Sequence, residues 1–191
     1  VMTYYLLITA TLFLGLSFFV NPLIMTRWPG IGYLIDPSFW PGLAVFPIIL
    51  LAHIFDGIYA NLMVGIYVKK MTRRLPMVTG AAAVITLSLN PLLVPRFGMM
   101  AAAWITLAAF VVQAVLLWLV VRRFYAIEYE WSRIVRLAAV CAVIYAAGFT
   151  AGADSLWLRF VILGTFPVLL FVSGFFDPRE KEYLRRLLPT R

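Results

Sequence analysis

His53 and Asp56 are the residues of this 191-residue chain whose types and spacing could do chemistry. Three positions apart on a helix, they lie about 60° apart around the axis and share a face, with Gly57 and Ala60 beside them leaving room. An imidazole titrates near neutral pH, and a carboxylate can hold a proton or a cation. The pair could therefore contact hydroxyl groups of a substrate or take up a coupling proton or sodium ion. It could equally be satisfied internally, or by hydrogen bonds to a neighbouring helix. Asn61, Asn90 and Gln113 are further polar residues in apolar surroundings, and they fit interhelical hydrogen bonds better than ligand contacts. With one histidine and one cysteine, Cys141, the chain has no metal-ligand spacing, and it carries neither a P-loop nor a dinucleotide fingerprint. No catalytic residue, metal or cofactor is expected, apart from the coupling ion. Transport or scaffolding outranks enzymatic activity.

The elements that must hold this pair follow from composition. Hydrophobic residues make up 64% of the chain and charged residues 13%, where a soluble domain has about half and a quarter. The apolar residues come in blocks long enough to cross hydrocarbon. Lipid offers the backbone no hydrogen bonds, so such blocks must be helices or a closed barrel, and the alternating polarity of barrel strands is missing. The expected fold class is an all-α, polytopic transmembrane bundle of about six spans, over 3–25, 41–68, 75–94, 99–121, 134–151 and 155–176. His53 and Asp56 fall near the middle of the second. Pro22, Pro47, Pro91 and Pro167 lie inside or near the ends of spans, where they would bend the helices. Small residues at Gly80 to Ala83, at Ala101 to Ala103 and at Gly148 and Gly152 permit close helix contact.

The net charge of +8 comes from connections rather than from one soluble face, so it reads as orientation and not as a nucleic-acid surface. Lys69, Lys70, Arg73 and Arg74 follow the second span, Arg122, Arg123, Arg133 and Arg136 join the fourth to the fifth, and five more basic residues occupy the tail. All but Arg27, Arg96 and Arg159 of the 16 thus lie on one side. Basic residues are retained in the cytoplasm, which puts both termini there. Trp28, Tyr33, Phe39, Trp40, Trp131 and Trp157 suit headgroup-level anchoring. In the tail, Asp177, Pro178 and Glu180 have the order of a helix start, and Leu184, Leu187 and Leu188 would share one side of a helix lying on the anionic inner leaflet.

The third and fourth spans meet in Ser88-Leu-Asn-Pro-Leu-Leu-Val-Pro-Arg-Phe-Gly98, followed by Met99-Met-Ala-Ala-Ala-Trp104. Asn90, Pro91, Pro95 and Gly98 predict a sharp hairpin there. The run resembles the N-x-x-L-I-P-x-F-G-x-x-G-A-A hairpin of polysaccharide and O-antigen flippases in the multidrug/oligosaccharidyl-lipid/polysaccharide exporter superfamily. Tyr67 to Pro76, the Tyr129-Glu-Trp131 approach to the fifth span and the tail from Phe175 to Glu180 extend the likeness along the chain. It departs from the pattern at Met100, where a glycine is usual, and at Pro91, which interrupts the first helix.

The resemblance implies two helical lobes around a central cavity, often followed by two extra helices. Residues 1–125 would then be four transmembrane helices of the second lobe, 126–176 the extra pair, and 177–191 a cytoplasmic amphipathic basic tail. It further implies a multi-pass protein of the bacterial inner (plasma) membrane. Its activity would be to flip a lipid-linked oligosaccharide, carried on undecaprenyl pyrophosphate, for polysaccharide or lipopolysaccharide biosynthesis. The expected partners are the lipid bilayer, the lipid-linked oligosaccharide and an N-terminal lobe of the same transporter, with no nucleic acid. A pyrophosphate needs cationic partners, yet no Lys or Arg lies deep in the predicted spans, so Asp56 suits cation coupling or sugar contact better than headgroup binding. A drug/cation antiporter of the same superfamily and a small membrane assembly partner are the alternatives.

Overall fold

Prolines and glycines mark several of the points where the helices of this chain start, break and stop. The computed structural model describes residues 2–30, 32–123, 130–150 and 155–175, and within them the chain is built almost wholly of helix. In order come α1 (Met2–Met25), a two-rung ribbon of β1 (Arg27–Trp28) and β2 (Gly32–Tyr33), a 3-10 helix (Pro37–Val45), α2 (Phe46–Val68), a short 3-10 turn (Thr72–Arg74), α3 (Leu75–Val121), α4 (Trp131–Thr150) and α5 (Leu156–Val172). Four helical stretches are long and apolar enough to cross a membrane: Met2–Met25, Pro37–Val68, Thr72–Val121 and Trp131–Thr150. Leu156–Val172 is a shorter apolar helix. The chain is therefore an all-α protein with membrane-spanning character, as its composition predicts. The tail expected to form an amphipathic helix lies outside the described residues.

Two departures from the expected spans have local causes. The second span, expected over 41–68, opens in a 3-10 helix over Pro37–Val45, and its α-helix begins only at Phe46. Pro37 and Pro41 both lack the donor that an α-helical ladder would use. Asp36 caps this segment: its carboxylate accepts from the Ser38 hydroxyl at 2.6 Å and from the Ser38 backbone N–H at 2.9 Å. Those two bonds, the hydroxyl first, hold the Asp36 carboxyl below its ordinary value of 3.8. The cap accordingly persists at neutral pH and is lost as the pH falls through that lowered value. Pro47, expected to bend the second span, instead lies in the first turn of α2, where its missing N–H costs nothing.

The described contacts fall into two compact units. One comprises Val1–Met2 and Phe19–Tyr129, the other Thr3–Phe18 and Glu130–Arg191. The first is organised by α2 and α3. Gly98 interrupts α3 with φ 63° and ψ −147°, a region open in practice only to glycine. The chain folds back at that residue. Val78 near the start of α3 and Leu117 and Val121 near its end belong to one core with Tyr59, Leu62 and Ile66 of α2. A straight helix would hold Val78 and Val121 about 65 Å apart. The third and fourth expected spans are thus the two arms of one broken helix, and the hairpin predicted at Asn90–Gly98 turns at its last residue.

In the second unit, α4 and α5 pack together with the first four turns of α1. Phe13 and Phe18 meet Tyr145, the second pair stacked with planes 5° apart. Gly148 is what admits Phe18, because a methyl group there would stand 2.5 Å from the ring. By contrast, nothing approaches Gly80 within 4 Å, so its lack of a side chain is not needed for packing.

Candidate functional site

The core-facing side of α2 carries Ala52, Tyr59, Leu62 and Ile66, which recur at helical spacing and bury against α3. His53 and Asp56 lie off that side. Together with Ile49, Ala60, Val64 and Tyr67 they form a stripe along α2 on which His53 is exposed and Asp56 partly so. The His53 ring touches Phe110 of the returning arm of α3, with centroids 6.0 Å apart and planes at 50°. Among the described residues, no hydrogen bond or ion pair joins Asp56 to His53 or to any other group. The two share a face, as their spacing predicts, without satisfying each other.

The remaining polar candidates separate. Asn61 does not reach another helix, because its amide donates to the Gly57 carbonyl of its own helix at 2.9 Å. Gln113 is buried on the returning arm of α3. Asn90 is half-buried, while Pro91, Pro95 and Gly98 are exposed around the break. Between the arms lies an apolar crevice of about 370 Å³, lined among others by Leu89, Leu93, Phe97, Trp104 and Ala108. The crevice has no ionisable lining, and the structure does not bring the hairpin residues Asn90, Pro91, Pro95 and Gly98 into contact with His53 or Asp56 among the described residues.

Two polar constellations in the other unit are not apparent from spacing alone. Arg133 forms an ion pair with Glu130 at 3.0 Å, donates to the Phe175 carbonyl at 2.7 Å and lies 5.0 Å from the centre of the Phe175 ring. Arg136 donates to the Gly174 carbonyl at 2.9 Å, and Glu130 also accepts from the Thr3 hydroxyl at 2.9 Å. These bonds fasten the starts of α1 and α4 to the end of α5, where cations complement the helix dipole. At the opposite end, Arg159 donates to the backbone carbonyl of Phe18. That carbonyl would normally bond to the N–H of residue 22, which is proline and has none. The clue in the sequence is a proline four residues after Phe18 with an arginine in the first turn of a later helix, which spacing cannot connect. Both constellations tie helix ends together.

No family model, no curated protein and no solved structure matches this chain.

Proposed function

We propose that the chain is part of a membrane transporter that flips a lipid-linked oligosaccharide of the undecaprenyl-pyrophosphate type across the bacterial inner membrane. In this reading α1, α2, the two arms of α3, α4 and α5 make six crossings, with both termini in the cytoplasm. The observation that carries the proposal is the fold-back of α3 at Gly98, within the very run, Ser88 to Trp104, on which the flippase resemblance rests. A hairpin of this kind gives two helices that can rock together against α2. The stripe holding His53 and Asp56 supplies the coupling site: a carboxylate at mid-helix without a protein partner among the described residues is costly in hydrocarbon, and a cavity containing water and a cation relieves that cost.

The test is Asp56→Asn in the intact transporter. Loss of the pH or sodium dependence of transport, with lipid-linked oligosaccharide accumulating on the inner leaflet, is the expected result. Normal transport with unchanged ion dependence would remove the coupling role. The same pair also fits a drug/cation antiporter, for which cation-dependent efflux of a drug, and no accumulation of lipid-linked sugar, is the distinguishing outcome.

A further inference from the structure

We infer that one end of the α2–α3 unit is a docking surface for the headgroups of anionic phospholipids. The surface is composite. Lys69, Lys70, Arg73 and Arg74 follow α2, and Arg122 and Arg123 follow α3, some fifty residues later. The fold-back at Gly98 brings the two groups together: Met71 and Leu75 from one connection and Trp118, Val120 and Val121 from the other pack on the same core around Ile66, Val78 and Leu117. Six cations therefore emerge around one core.

Local geometry fixes the cluster. The Arg122 guanidinium lies 4.6 Å from the centre of the Trp118 ring, a cation–π contact that restrains it. Lys70 is held at φ 53° by bonds from its own N–H to the Tyr67 carbonyl and from the Met71 N–H to the Ile66 carbonyl. The first turn of α3, which has no side-chain cap, adds its positive end to the same region. The neighbours of the cations select a lipid over a soluble anion. Tyr67, Val68 and Met77 are each more than half exposed immediately beside them. A phosphate ring of contacts bordering an exposed apolar band matches a molecule with a phosphodiester headgroup and acyl chains. The inference does not depend on what the protein transports.

The full chain, purified in a neutral detergent, would be titrated with phosphatidylglycerol, phosphatidylcholine or inorganic phosphate, and bound lipid counted by native mass spectrometry. Wild type should prefer phosphatidylglycerol about tenfold or more. The variant Lys69→Gln/Lys70→Gln/Arg122→Gln/Arg123→Gln should lose that preference, whereas removal of four tail cations (Arg179, Lys181, Arg185 and Arg186, each to Gln) should keep it. If the quadruple variant does not fold, judged by circular dichroism, each of the double variants Lys69→Gln/Lys70→Gln and Arg122→Gln/Arg123→Gln should weaken phosphatidylglycerol binding severalfold. Equal binding of the two lipids, or full retention of the preference in the cluster variants, overturns the assignment. Displacement of phosphatidylglycerol by millimolar phosphate overturns it too, since the site would then take soluble anions.

Discussion

At the scale of single residues, a proline inside a helix leaves one carbonyl without its donor, and this chain shows how a distant side chain can supply the missing bond. Pro22 deprives Phe18, and Arg159 donates to the vacated carbonyl. Hydrogen bonds from charged donors contribute about 1.5–3 kcal/mol. Arg159→Leu should therefore lower stability by about that amount, read as a fall in thermal midpoint in detergent, while Arg159→Lys should recover part of it. An unchanged midpoint for the leucine variant would mean that the carbonyl is satisfied in another way. Sequence made Arg159 visible only as a charge in a connection. Its role depends on Pro22 being close in space, which no periodicity encodes. His53 and Asp56 were more legible, because a charge within an apolar block stands out whatever the fold. What the sequence left open was whether they bond to each other, and they do not.

At the scale of elements, two helix ends have the same hydrogen-bond pattern with different residues at the critical position. After α5, Gly174 takes φ 70°, and the Phe175 N–H reaches back to the Leu170 carbonyl at 3.2 Å, burying both of those side chains. After α2, Lys70 occupies the equivalent position, with the Met71 N–H bonded to the Ile66 carbonyl at 3.0 Å. The left-handed conformation costs a non-glycine residue about 1 kcal/mol. Lys70→Gly should thus stabilise the chain by up to about 1 kcal/mol, and Gly98→Ala should destabilise it by more than that, because φ 63° with ψ −147° is not open to alanine. Chemical denaturation of both variants in micelles checks the opposite signs. The Gly98 break was legible from the Pro95-Arg-Phe-Gly98 punctuation. The 3-10 helix over Pro37–Val45 was not, since hydropathy reports where a segment goes and says nothing of its hydrogen-bond register. The end of α2 at Val68 falls where the expected second span ends, but the left-handed Lys70 beyond it was not legible, because lysine seldom occupies that conformation.

At the scale of the whole molecule, apolar blocks and the distribution of basic residues are the features that sequence reports best, because the bilayer acts on length and charge without regard to tertiary detail. The proposed orientation can be tested with single cysteines in a Cys141→Ala background. A membrane-impermeant thiol reagent should label Phe97→Cys in intact cells, and Lys70→Cys and Arg123→Cys only after permeabilisation. The reverse pattern would invert the topology. The break at Gly98 has a bearing on biogenesis as well. In that orientation the tip of the α3 hairpin carries one cation, Arg96, outward against an interior-negative potential, at about 2.3 kcal/mol per 100 mV. Exporting the Lys69–Arg74 connection instead would move four cations and require about 9 kcal/mol at the same voltage. In the proposed orientation the two arms would enter the bilayer as a paired unit, and the membrane potential itself would proofread which way round they insert.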